Sequence, residues 1–297
     1  MSNKYAPFER MVTAARPSSG LRRLALGLVA IAFLQIVLVQ AVFAIIHTVA
    51  SGDTYFRLIS GIQRADTPGS LLAVLILTGC MGLGVIVASE LVHQRPFRSL
   101  FGPLRPAIAQ FWVVLRMMIG LTGVIMALMF LTGEPLLPGL SLGHWLMLLP
   151  LTIVALLIQT GAEELVFRGY FQSQLAARFA NPMVWMFVPS TLFAMLHYQP
   201  EVYGSNASFL LIWSLLFGIA AADLTARTGT LGPAIALHFA NNFTALALVS
   251  LYGDMSGLAL WQLPFGPEAE AAIRAEMPAE FLFIVIYWLA ARLALRV

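Results

Sequence analysis

The chain has 297 residues, of which 60% are hydrophobic and only 10% charged, and its mean hydropathy is +0.85. Soluble domains carry about a quarter of their residues as charges, so this composition excludes one and indicates an all-α polytopic membrane protein. The net charge of +3 gives no indication of nucleic-acid binding; its placement is a topology signal.

A hydrocarbon core about 30 Å thick takes about 20 apolar residues per helix. In chain order the candidate spans are roughly 22–47, 69–92, 107–132, 145–165, 182–197, 207–226, 229–251 and 278–296, which predicts eight transmembrane helices. The run after Arg22 and Arg23 is long enough to span and no small-residue cleavage site follows it, so it reads as a membrane helix rather than a signal peptide. Residues 1–143 read as an N-terminal cytoplasmic arm followed by three scaffold helices. Residues 144–251 concentrate the acids, histidines and amides and read as a functional helical core, and 252–297 as a loop and a C-terminal helix. Cys80, the single cysteine, excludes an intrachain disulfide and reads as a small core residue. Glu90 falls at a helix end and reads as interfacial, and Arg116 reads as a residue that snorkels or pairs with a buried acid. No inverted repeat of the transporter kind is visible.

Orientation follows from the excess of Lys and Arg that remains cytoplasmic. Lys4, Arg10, Arg16, Arg22, Arg23, Arg95, Arg98, Arg105, Arg178, Arg227, Arg292 and Arg296 fall on one side if the helices alternate, against Arg57, Arg64 and Arg274 on the other. Both termini are therefore expected in the cytoplasm, with the basic arm facing anionic lipid headgroups.

Three polar constellations lie in the core. Glu163, Glu164 and Arg168 sit in an otherwise apolar stretch, where an ionised side chain near the bilayer centre costs at least roughly 2.5–3.5 kcal/mol and so marks a functional site. Glu164 and Arg168 are one turn apart in the favourable acid-first order. Glu163 points about 100° away from Glu164, which leaves its carboxylate free for a cavity. A straight helix from Trp145 to Ala180 would be about 54 Å long, so it is expected to tilt, protrude, or break near Gly161 or Gly169.

The second constellation, Phe193 to His197, ends the next helix. With a turn at Asn181-Pro182, the arms back to Glu163 and on to His197 are about 25 and 22 Å, which brings carboxylate and imidazole to matching depth across a helical hairpin. The third is His238 and Asn242, one turn apart on a single face. Both can donate hydrogen bonds in a dry site, as an oxyanion requires; interhelical hydrogen bonding is the bland alternative. There is no His-Glu-x-x-His motif and no Gly-rich phosphate loop. Gly139-Leu140-Ser141-Leu142-Gly143 matches G-x-S-x-G by chance, since no strand precedes it.

Taken together, Glu163-Glu164-x-x-x-Arg168-Gly169, Phe193-x-x-x-His197 and His238-x-x-x-Asn242 resemble the three ordered motifs of the CAAX protease and bacteriocin-processing (CPBP, also ABI) family of intramembrane endopeptidases, which includes the CAAX prenyl endopeptidase. The resemblance covers 145 to about 251. It implies that Glu163, assisted by His197, activates the attacking water, that His238 and Asn242 stabilise the oxyanion, and that Glu164, Arg168 and Phe193 support the site. It also implies a membrane-associated, possibly lipidated, protein or peptide as substrate; the expected location, apart from the resemblance, is a bacterial inner membrane. A zinc version draws on the same residues, since Glu163, His197 and His238 supply two imidazoles and a carboxylate. The missing i, i+4 histidine spacing favours the metal-free form, so no cofactor is expected. The alternatives from other classes are a non-catalytic scaffold or bacteriocin self-immunity protein, and a proton-coupled transporter.

Overall fold

The computed structural model describes residues 3–297, and these form an almost entirely helical molecule. An arm of short helical turns (Asn3–Phe8, Glu9–Val12, Arg16–Ser18) leads into α1 (Leu21–Val49). Then come α2 (Gly52–Arg64), α3 (Pro68–Val92) and α4 (Leu104–Thr132). The second half holds α5 (Leu142–Arg178), α6 (Pro182–Leu196), α7 (Ala207–Thr228), α8 (Gly232–Phe243) and α9 (Glu270–Leu295).

Local chemistry sets several of these boundaries. Thr67 and Ser70 form a reciprocal capping box with Pro68 at the first helical position of α3. The Asn181 side chain accepts the Met183 N–H just ahead of Pro182, starting α6. Gly133 and Gly229, both in the left-handed region, end α4 and α7.

Six stretches are long and apolar enough to cross a membrane: α1, α3, Phe97–Thr132, α5, Pro200–Thr228 and α9. They make the chain an integral membrane protein. The other two predicted spans are helical but too short to count among these six. The 182–197 span is the 15-residue α6, and the 229–251 span is the 12-residue α8 continued by a five-residue π-helical turn, Thr244–Leu248. Both pack against longer helices, α6 along α7 and α8 along α4, so neither needs to span the bilayer to be stable.

Both termini lie on one face. Tyr5 in the arm and Trp288 near the end of α9 donate to the two oxygens of Asp223, at 2.8 and 3.0 Å, and Arg227 pairs with the same carboxylate at 2.7 Å. Arg95, in the turn after α3, reaches the Met11 carbonyl of the arm. Glu90 is exposed and accepts the Phe97 N–H, and Arg116 is exposed on the outer surface of α4. The opposite face gathers α2, the loop 251–260, which donates from Met255 and Gly257 to the Arg64 and Ala65 carbonyls, and three two-residue strands. Leu137–Pro138 runs antiparallel, and Val249–Ser250 parallel, to Trp261–Gln262.

Helix α5 does not break at Gly161. It continues through a π-helical stretch, Leu165–Gln172, that begins directly after Glu164. Gly169 packs against Leu100 and Leu231 in the turns that precede α4 and α8. Beyond that level α5 runs under the arm, where Arg95 donates to Ser173 and His93 meets Tyr170.

Candidate active site

The site forms where α5, α6, α7 and α8 converge. Close helix approach makes it compact. A Cβ on Gly232 would meet the Ala107 carbonyl and one on Gly218 would lie 2.9 Å from Ser190 Cβ, so α8 lies tight on α4 and α7 tight on α6. The bare backbone at Gly218 also exposes its carbonyl to Arg168, whose Nη2 donates to it at 3.2 Å.

Glu164 and Arg168 form the ion pair that their spacing implies, Nη1 to Oε1 at 2.8 Å, with both side chains buried. The Arg168 guanidinium lies 4.9 Å over the Phe193 ring, which adds a desolvated cation–π contact. His238 completes the cluster from α8. Its Nδ1 lies 2.8 Å from the same Glu164 oxygen, and its Nε2 faces Glu163 Oε2 at 3.6 Å. An ionised Glu164 accepts the hydrogen bond of Nδ1–H, which leaves Nε2 as the ring atom directed at Glu163. Phe217 and Phe193 wall the imidazole edge-on at 5.1 and 6.0 Å.

Glu163 is held on one side only. Gln159, one turn earlier on α5, donates to its Oε1 at 2.6 Å, and Asn242 donates to the Gln159 carbonyl oxygen at 2.9 Å. Its buried Oε2 has no hydrogen-bond partner among the described residues. At 3.6 Å the approach to His238 is too long for a direct hydrogen bond. A buried acceptor without a donor costs about 1–3 kcal/mol; Glu164 Oε2 is likewise buried and unpartnered among the described residues, but Glu164 is already neutralised by Arg168 whereas Glu163 has no ion pair to a guanidinium.

His197 ends α6 as expected, with Nδ1 donating to the Phe193 carbonyl at 2.8 Å and its ring 4.4 Å from that of Phe193. That bond leaves Nε2 as an acceptor in the neutral tautomer. The structure brings Glu163, Glu164, Arg168, Phe193 and His238 together directly and joins Asn242 through Gln159. His197 contacts the cluster through Phe193, with no hydrogen bond to Glu163. Gln159 was not anticipated; the available signal was a lone amide in an apolar helix, four residues before Glu163. Phe217 carried no signal, since an aromatic residue in an apolar helix is unexceptional.

Among the described residues, no three His, Cys, Asp or Glu side chains converge closely enough to share a metal ion.

Residues 143–244 match the family described as Type II CAAX prenyl endopeptidase Rce1-like. All three motifs lie within that segment, and the resemblance to the CPBP family holds. The chain is also 24% identical over 182 residues to the uncharacterized protein YyaK of Bacillus subtilis (strain 168). That alignment covers 59% of this chain and 61% of the relative, so less than two thirds of YyaK is matched. No solved structure matches the chain.

Proposed function

We propose, from the premise of an Rce1-like core across residues 143–244, that the chain is an intramembrane endopeptidase acting on a membrane-associated or lipidated protein without a metal ion. The observation that carries this reading is Glu163: one oxygen is clamped by Gln159, and the other is buried, unpaired and directed at His238.

In this mechanism Glu163 Oε2 takes a proton from a water molecule, and the hydroxide attacks the scissile carbonyl carbon. His197 assists by accepting a hydrogen bond from that water at Nε2. The oxyanion forms beside His238 and Asn242. For His238 to stabilise the oxyanion, Nε2 must carry a proton while Nδ1 donates to Glu164. Asn242 uses one amide hydrogen on Gln159 and keeps the second for the oxyanion. Collapse of the tetrahedral intermediate breaks the C–N bond, and Glu163 returns its proton to the leaving amine. Positioned acid–base catalysis of this kind is worth about 10²–10⁴ in rate, and the surrounding apolar wall strengthens the oxyanion contacts.

The basic face that carries both termini is assigned to the cytoplasm by the positive-inside rule, in a bacterial inner membrane. The test is cleavage of a prenylated CAAX-type peptide and of a membrane-protein mixture by the purified chain, wild type against Glu163→Gln, each with and without a strong chelator. Cleavage that the substitution abolishes and the chelator leaves intact is the expected result. Loss under chelation that zinc restores overturns the metal-free mechanism. Equal behaviour of the two proteins on every substrate returns the chain to the scaffold or immunity reading.

A further inference from the structure

At the face that carries the termini, Pro17, Ser18, Gly20, Leu21, Arg22, Arg23 and Arg178 line an open cavity of about 450 Å³. Three guanidiniums from two distant parts of the chain border it, and no carboxylate does. Among the described residues none of the three forms an ion pair, whereas neighbouring Arg16 is neutralised by Glu9 at 2.7 Å. Like charges gathered around a concavity repel one another, and an anion seated there relieves the repulsion.

The position of the cavity says which anion. The helix α1 starts at Leu21, and its exposed apolar side chains Leu21, Leu26, Val29 and Phe33 begin at the cavity rim, so the arginines stand where hydrocarbon gives way to headgroup. An amphiphile with an anionic head and an apolar tail fits this boundary. The floor is rigid: Ser18 is buried, with its hydroxyl and carbonyl both against His93 Nδ1 at 2.9 and 3.1 Å. Gly20 supplies no side-chain cap to α1, so first-turn amides add donors beside the arginines.

We propose that this cavity binds the phosphate of an anionic lipid headgroup, held by Arg22, Arg23 and Arg178 with the acyl chains lying along α1. It differs from a general basic surface in being a three-arginine concavity with a fixed floor. The site is independent of the proposed peptidase activity.

The test is retention of phosphatidylglycerol by the detergent-purified full chain, read by native mass spectrometry. It compares wild type, the triple variant Arg22→Ala/Arg23→Ala/Arg178→Ala, the corresponding triple lysine variant, and a control with Arg57, Arg64 and Arg274 replaced by alanine on the opposite face. A charge near a membrane surface contributes about a fivefold effect. The expected result is a loss of at least that size per arginine in the alanine triple, partial retention in the lysine triple, and none in the control. Phosphatidylcholine, which has no net charge, should be retained equally by all four. Melting temperatures verify that each variant is folded, and Arg178→Gln alone serves if the triple is not. Equal phosphatidylglycerol retention by the alanine triple and wild type overturns the site. Displacement of phosphatidylglycerol by millimolar inorganic phosphate would identify a soluble phosphate ligand and overturn the lipid assignment.

Discussion

The imidazole of His238 stands 3.6 Å from a carboxylate oxygen of Glu163 that has no hydrogen-bond partner among the described residues, while its other nitrogen is fixed at 2.8 Å on Glu164. One ring thus faces two buried acids that differ in their partners. Glu164 is neutralised by Arg168, and Glu163 is held by the neutral amide of Gln159. Adjacent residues on one helix acquire separate tasks because the 100° step between them directs one at Arg168 and the other at the amide of Gln159.

Glu163→Gln should leave the fold intact and lower cleavage by about 10²–10⁴. The replacement is isosteric and can still contact Gln159, so loss of activity with an unchanged melting temperature isolates the proton-accepting role. A variant that retains wild-type turnover refutes that role.

Gln159→Leu tests the clamp. It strips Glu163 Oε1 of its donor and Asn242 of its acceptor at once. Misplacement of the base should reduce kcat by at least about tenfold, in line with the 1–3 kcal/mol attached to an unsatisfied buried group. KM should change little, because the residue sits behind Glu163 rather than on a substrate surface; a KM effect with unchanged kcat would contradict this placement.

Arg168→Met should destabilise the protein by about 3–5 kcal/mol, since it leaves the buried Glu164 charge without its guanidinium. The double variant Glu164→Gln/Arg168→Met should be milder than Arg168→Met alone, because removing both charges removes the uncompensated one. Thermal unfolding in detergent measures both. Additive losses would mean that the pair is not coupled.

His93 provides a pH dependence of stability outside the membrane-spanning segments. Burial, ahead of its other influences, holds its pKa below the ordinary 6.5. Its ring accepts from the Tyr170 hydroxyl at 2.7 Å and donates to the Ser18 carbonyl at 3.1 Å, an arrangement suited to the neutral form. The folded state therefore binds fewer protons than the unfolded state, and its stability is full above pH 6.5 and declines as pH falls below that value. Melting temperature measured from pH 7.5 to 5 should fall in the wild type and fall less in His93→Gln.

Much of this protein was legible in the amino-acid order, because the features concerned are local or set by the solvent. Apolar runs of bilayer length announce membrane helices whatever their packing. An acid and a base four residues apart meet on any helix, as Glu164 and Arg168 do. Asn181 followed by Pro182 starts a helix by its own chemistry, and the ordered motifs from Glu163 to Asn242 pointed to the family whose description matches 143–244. The tertiary structure alone decided what those residues touch. That His238 bridges both glutamates, that Asn242 reaches Glu163 only through Gln159, and that His197 meets the cluster through Phe193 all depend on how closely α5, α6 and α8 approach and how each is rotated. Those quantities are fixed by distant glycine contacts such as Gly218 on Ser190 and Gly232 on Ala107, and by the π-helical stretch after Glu164 that changes the helical phase between Glu163 and the chain beyond it. Hydrophobic periodicity encodes which face of a helix is buried; the depth and rotation at which two buried faces meet arise from packing between residues far apart in the chain.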